Sequence, residues 1–239
     1  MAVPRTAMLL AAGLGTRMRP LTDDTPKPLI GVAGKAMIDR LIAPLKDAGV
    51  QRLVVNVHWL ASKVEDHLAN VSGLEIVISD ERDLLLETGG ALVKAGPLLG
   101  DDPVFVLNTD AFWAPGDAGP LLALADAYDP ARMDDLLLLA DAGRCLGYNG
   151  PGDFKRADDG VLTRRGDAPS APWAFAGVRI TRASLYAAEP QEPFSANRIW
   201  DRLVPHGRVH GLPLDRFWLH VGDPETLKDA EMWMRCHGG

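Results

Sequence analysis

LAAGLGTRMRP, Leu10 to Pro20, is the stretch whose reading decides the fold. It overlaps the end of a short apolar run, Thr6 to Ala12 (TAMLLAA). That run suits a buried strand of a parallel sheet, one that hands its loop to the carboxyl edge. Glycines at 13 and 15 let backbone amides turn toward phosphate oxygens, and Arg17 and Arg19 add charge beside them. Two common nucleotide motifs do not fit. Met18 stands where a dinucleotide fingerprint needs its third glycine, and no Gly-Lys-Ser/Thr follows as a Walker loop requires. What remains is a phosphate-binding loop of another kind.

Working outward, the loop is long, running from Gly13 to about Gly34 and rich in Gly, Pro, Thr and Asp. A loop of that length inside a compact domain is usually functional. Within it TPKPL (25–29) holds Lys27 between Pro26 and Pro28, which stiffen the backbone on both sides of one cation. Met37 to Ala48 then reads as an amphipathic helix. Apolar runs and helical patterns alternate from there: RLVVNV (52–57), LASKVEDHLAN (60–70), LEIVIS (74–79), ETGGALVKAGPLL (87–99) and PVFVLN (103–108). Such alternation is the signature of a parallel sheet wound with crossover helices. A helix over Leu121 to Tyr128 and a strand over Asp135 to Ala140 complete a Rossmann-like half, about 1–141.

From about 142 to 239 the texture changes. GYNGPGDFKRADDGVLTRRGD reads as short antiparallel strands joined by turns, with Arg164 and Arg165 at a solvated hairpin tip. Trp173 to Thr181 reads as a strand, Ser195 to Val204 as a helix capped by Ser195, Val209 to Leu219 as paired strands, and Pro224 to Arg235 as a closing helix. No flexible linker, internal repeat or low-complexity tract interrupts the chain, so both halves are expected in one domain over 1–239 with a mostly parallel, mixed α/β sheet. No hexapeptide repeat is present either, and a single activity is expected.

The bulk numbers bound the function. At 239 residues, 47% apolar and 24% charged, the composition is that of an ordinary globular protein. With 25 basic and 32 acidic side chains, a formal charge of -7, a broad electrostatic footprint for nucleic acid or a membrane surface is not expected. Any bound phosphate must be held locally. Ala7 to Ala12 is too short to span a bilayer, and a cytoplasmic protein is the expectation. Cys145 and Cys236 are too few for a disulfide framework and lack zinc-site spacing.

Asn108, Thr109 and Asp110 end the run PVFVLN at the carboxyl edge, where such sheets bind ligands, and an aspartate there can hold Mg²⁺ against phosphate oxygens. A helix cap or turn aspartate is the alternative for Asp110 taken alone. Combined with the glycine loop and Lys27, the metal role is the better reading.

LAAGLGTRMRP, TPKPL, ETGGA (87–91) and NTDAFW (108–113), in that order, resemble the motifs of the sugar-1-phosphate nucleotidyltransferases over most of the first 115 residues. The resemblance implies the nucleotide-diphospho-sugar transferase fold and a reaction joining a nucleoside triphosphate to a sugar 1-phosphate, with Mg²⁺ as cofactor. It implies Ala12, Gly13, Gly15 and Thr16 on the nucleotide, Gly89 and Gly90 near the base, and Arg17 and Lys27 as the catalytic cations. Asn108 and Asp153 would contact the sugar, and Asp110 would bind the metal. Where many relatives read Asp-Val-Gly near the C-terminus, this chain has His220-Val221-Gly222, followed by Asp223. The second metal ligand is therefore open between His220 and Asp223. LETGG, GDF (152–154), AFAG and WLHVGDPE resemble most the family branch that joins UTP to N-acetylmuramate 1-phosphate, a cell-wall sugar. GTP with mannose 1-phosphate is the alternative pair. A non-catalytic sugar-nucleotide sensor and a non-sugar acceptor such as phosphocholine are rival readings, and a monomer or small homo-oligomer is expected.

Other residues draw bland readings. His58 is expected to pack or cap, although it could border the sugar pocket. His206 and His210 flank a turn at Gly207 and Arg208 rather than forming a helical metal pair. Trp113, Trp173, Trp200, Trp218 and Trp233 are expected in the core, with Trp113 close enough to Asp110 to line the sugar site.

Overall fold

Thr6–Leu10 forms strand β1, and its alternation sorts the core: Ala7 and Leu9 pack on one face, Met8 on the other. The protein is described by a computed structural model covering residues 2–100 and 103–237. After the long loop come a small ladder of β2 (Gly31–Val32) with β3 (Lys35–Ala36), then α1 (Asp39–Asp47), β4 (Arg52–Val57), α2 (Ala61–Leu68), β5 (Glu75–Asp80), α3 (Glu87–Leu99) and β6 (Val104–Asn108). β6, β1, β4 and β5 lie side by side and parallel, with Leu10 opposite both Asn56 and Asn108. Leu41 and Leu45 of α1 and Val64 and Leu68 of α2 cover the Leu9 face, while Ala91, Leu92, Ala95 and Leu99 of α3 cover the Met8 face. These are the apolar positions that helical spacing picks out.

The second half continues β7 (Ala111–Ala114), α4 (Gly119–Ala127), β8 (Asp135–Asp141), β9 (Cys145–Leu146), β10 (Phe154–Arg156), β11 (Leu162–Arg164), β12 (Trp173–Thr181), α5 (Asn197–Leu203), β13 (Val209–Pro213), β14 (Phe217–His220) and α6 (Pro224–His237). β12 runs antiparallel to β6 and to β8, so both halves share one mixed sheet. Arg179 of β12 donates to Asp135 at 2.8 Å, and Trp200 of α5 donates to the same carboxylate oxygen at 2.9 Å. This buried junction ties α5 to the sheet. Among the described residues no helix is long and apolar enough to cross a membrane.

Three expectations are corrected. The strands within 209–219 do not pair with each other: β13 joins β8 in parallel, whereas β14 lies between β7 and β9 in a separate small sheet. Arg164 is not at a hairpin tip. It ends β11, bonds Asp201 at 2.6 Å and lies over the Phe154 ring. Ser195 stands one residue before the N-cap, which is Ala196, although its hydroxyl still accepts the Asn197 N–H at 3.3 Å. Trp113, Trp200 and Trp218 are buried, and Trp173 and Trp233 pack half-buried against the core.

Candidate active site

The carboxyl ends of β1, β4 and β6 open into a cleft of about 510 Å³. Its lining includes the loop after β1, with Ala12, Gly13, Gly15, Thr16 and Arg17. Gly15 has φ +64, and a Cβ there would come within 2.7 Å of the Thr22 methyl and 3.2 Å of Lys27 Cβ. Only glycine permits both the left-handed turn and that approach. Buried Thr22 fixes the turn by donating its hydroxyl to Gly15 O at 2.8 Å, and Trp59 Nε1 donates to Thr22 O at 2.9 Å.

Lys27 begins a single 3-10 turn, Lys27–Leu29, preceded by Pro26 in extended conformation. The turn aims its ammonium at Asp110, 2.9 Å from Oδ2, with the lysine side chain only 12% exposed. Asp110 lies two residues beyond β6, where Thr109 anchors the turn by donating its hydroxyl to Leu10 O at 2.9 Å. β14 pairs His220 with Ala111 and Val221 N–H donates to Asp110 O at 2.8 Å, which brings the imidazole in beside the carboxylate. His220 Nε2 lies 3.7 Å from Asp110 Oδ2, and its Nδ1 lies 3.2 Å from Gly147 O. A carbonyl can only accept, so Nδ1 carries the proton and Nε2 is the atom presented to Asp110. Burial pushes the Asp110 carboxyl up, but the adjacent imidazole and ammonium more than reverse it and hold the group well below the usual carboxylate range. Burial likewise lowers His220, and Asp110 outweighs it, raising the imidazole.

This donor set suits a hard divalent cation in part. One carboxylate and one imidazole converge, and phosphate oxygens and water would complete the shell, as is usual for Mg²⁺. Of the two candidates for a second ligand, His220 stands beside Asp110, whereas Asp223 Oδ1 accepts the Thr226 N–H at 2.8 Å and caps α6.

Asn108 also lines the cleft. Asp153 does not: its carboxylate accepts the Phe175 N–H at 2.8 Å and borders a different depression with Arg164, Arg165 and Asn197. Gly89 and Gly90 are buried in the first turns of α3 rather than lining the cleft. Gly89 N–H donates to Phe194 O at 2.7 Å, and a Cβ at Gly89 would come within 2.3 Å of the Phe194 ring. These glycines admit the chain segment before α5, which places Ser195 at the cleft. Trp113 points into the core and donates to Asp117 O at 2.9 Å, and His58 is held by Glu81 O at 2.6 Å. Sequence reading missed Asn56, Leu85, Glu87, Thr88 and Ser195, which complete the walls. Glu87 has φ +57, a conformation that leaves a non-glycine residue strained beside the cleft.

Residues 6–137 match the nucleotidyl transferase family. The chain is 46% identical over 232 residues to the N-acetylmuramate alpha-1-phosphate uridylyltransferase of Caulobacter vibrioides, covering 95% of this chain and 96% of that protein. It is 36% identical over 231 residues to the Neisseria meningitidis protein of the same name, covering 94% and 96%. In three dimensions it is similar to the inositol-1-phosphate CTP transferase from T. maritima, with a TM-score of 0.79 over 99% of this chain and 98% of that one at 18% identity.

Proposed function

The chain belongs to the nucleotidyl transferase family, and from that premise we propose that it joins UTP to N-acetylmuramate 1-phosphate, releasing pyrophosphate. The observation that carries the substrate pair is the 46% identity to the Caulobacter uridylyltransferase across nearly the whole of both chains. The cleft's chemistry supports the reaction class. A sugar phosphate is already an anionic nucleophile, so its oxygen attacks the α-phosphorus as the bond to pyrophosphate breaks, with no general base. What the protein must supply is alignment of two repelling anions and stabilisation of the charge that develops.

Arg17, exposed at the mouth, and the loop amides bind the triphosphate. Lys27 is neutralised by Asp110 until phosphate arrives. A phosphate entering the cleft would compete for that ammonium, and Asp110 with His220 are the residues that would hold a divalent cation there. When bound, the metal offsets negative charge on the phosphate oxygens. Asn108 and Ser195 stand where they can reach the sugar phosphate. The full set of Arg17, Lys27 and Asp110 disfavours a sensor that only binds sugar nucleotides.

The deciding experiment measures pyrophosphate release with Mg²⁺, crossing UTP, GTP, CTP, dTTP and ATP with the 1-phosphates of N-acetylmuramic acid, mannose, glucose and N-acetylglucosamine. Turnover confined to UTP and the muramic acid phosphate is expected. Turnover with GTP and mannose 1-phosphate instead would overturn the substrate pair but keep the chemistry. Tight sugar-nucleotide binding without any turnover would overturn catalysis itself.

A further inference from the structure

Glu81, between β5 and α3, is fully buried, and among the described residues it forms no ion pair. Its carboxylate is nevertheless saturated by two donors. Oε1 accepts from Asn56 Nδ2 at 2.8 Å, and Oε2 accepts from the Leu86 N–H at 3.0 Å. Asn56, at the carboxyl end of β4, in turn accepts the Ala11 N–H on its Oδ1 at 2.7 Å. The backbone of Glu81 is pinned as well, its N–H to Val57 O at 2.8 Å and its carbonyl by Leu84 N–H at 3.0 Å. Ala11, Asn56 and Leu85 all line the cleft, Ala11 at the start of the loop after β1, Asn56 on β4 and Leu85 in the segment leading into α3.

We infer that Glu81 is a positioning residue for nucleotide binding, acting through Asn56 and the Leu86 amide to hold these two cleft-lining segments in register. The inference rests on the reading of this cleft as a nucleotide site. An ionised carboxylate buried without a cation is costly. Joining two segments by apolar packing would avoid that cost, so stability alone does not call for the charge. What the carboxylate adds is direction. It can only accept, so it compels Asn56 to turn its amide nitrogen inward and its oxygen toward Ala11, where the phosphate loop begins. The same carboxylate fixes Leu86, whose neighbours Leu85, Glu87 and Thr88 also line the cleft.

This wiring can be reversed on paper without losing a bond. In Glu81→Gln the new amide group faces the Asn56 amide, donor against donor. In Asn56→Asp two carboxylates meet in a dry site. In the double variant Asn56→Asp/Glu81→Gln, the carboxamide oxygen accepts from Leu86, its nitrogen donates to the carboxylate at 56, and that carboxylate accepts from Ala11.

The test titrates each protein with UTP and Mg²⁺ in the absence of sugar phosphate, measures KM for UTP against kcat, and follows amide exchange over 8–14 and 82–88. Each folded single variant should weaken UTP binding roughly tenfold, the effect of leaving a buried donor unpaired. In Glu81→Gln, kcat at saturating UTP should stay nearly unchanged; exchange should quicken in both segments of each single variant, and the double variant should restore UTP affinity, KM and exchange. Folded single variants that bind UTP like the wild type would overturn the inference. So would a folded double variant that stays as weak as the singles. A wild-type protein that neither binds UTP nor releases pyrophosphate would count against the nucleotide reading instead, while the exchange data would still report whether Glu81 holds the two segments. A single variant that does not fold is replaced by the double variant, whose restored or lost affinity then decides.

Discussion

Lys27 and Asp110 are 83 positions apart in sequence, yet the ammonium lies 2.9 Å from the carboxylate in the cleft. On the proposed reading, an arriving phosphate displaces this pair. Lys27→Ala should therefore lower kcat by about 10²–10³-fold, the loss seen when one donor to a developing negative charge is removed. Single-turnover kinetics on the folded variant checks this, and near wild-type turnover would remove Lys27 from the mechanism.

The metal assignment makes a separate claim. His220 is a softer donor than the aspartate that many family members carry, and Mg²⁺ prefers oxygen. His220→Asp should tighten Mg²⁺ and lower the Mg²⁺ concentration needed for half-maximal rate. EDTA should silence both proteins, with Mg²⁺ restoring them. Titration of Mn²⁺ by its free-ion resonance reads the same site without turnover, and Mn²⁺ binding that ignores changes at His220 would place the metal elsewhere.

Much of this site was legible because it lies at the ends of local patterns. Arg52–Val57, Glu87–Leu99 and Trp173–Thr181 are bounded in the structure as they are in the sequence, because each is a single apolar or amphipathic run closed by turn residues. The loop after β1, Lys27 and Asp110 follow from those runs. What failed to show is whatever depends on pairing across the chain. β7, β9 and β14 have four residues or fewer, and the register that sets His220 beside Ala111 leaves no period to read. The surroundings of Asp153, Gly89 and Gly90 did not show for a related reason. Motif resemblance marks them, but their partners, Phe175 and Phe194, are contributed by distant segments.

Gly89 offers a test of that contact. Ala is a better helix former than Gly, so propensity alone would stabilise Gly89→Ala by up to about 1 kcal/mol. The added methyl, however, would sit 2.3 Å from the Phe194 ring and 2.8 Å from its carbonyl oxygen. Overpacking of this kind costs about 1–3 kcal/mol, so the net effect should be a lower Tm. Because the displaced segment carries Ser195, KM for the sugar phosphate should rise too. A stabilised variant would show that the segment from Phe194 to Ala196 is not pressed on α3.

Glu87 should respond in the opposite direction. Its φ of +57 is strained for an L-residue by about 1–2 kcal/mol, of which glycine would recover part after its own entropic penalty of about 0.5–1 kcal/mol. Glu87→Gly should thus be slightly more stable in urea. A strained side chain kept at a cleft wall implies use, so the variant should also bind UTP less selectively against GTP. Greater stability with unchanged selectivity would mean that the carboxylate does not face the ligand.

Glu81 gives the chain a predictable pH response. Burial raises its carboxyl above the ordinary 4.5, and the donors Asn56 and Leu86 offset this only partly. The folded state therefore holds the proton more tightly than the unfolded chain. The stabilisation this brings is complete below 4.5 and is lost as pH rises through the folded value. Above that value the offset is constant. Glu81→Gln carries no such proton, so urea midpoints of wild type relative to the variant should fall from pH 4.5 upward and then level off. A difference that instead grew with pH would mean that Glu81 is held ionised by a cation, and that its hold on Asn56 is electrostatic rather than directional.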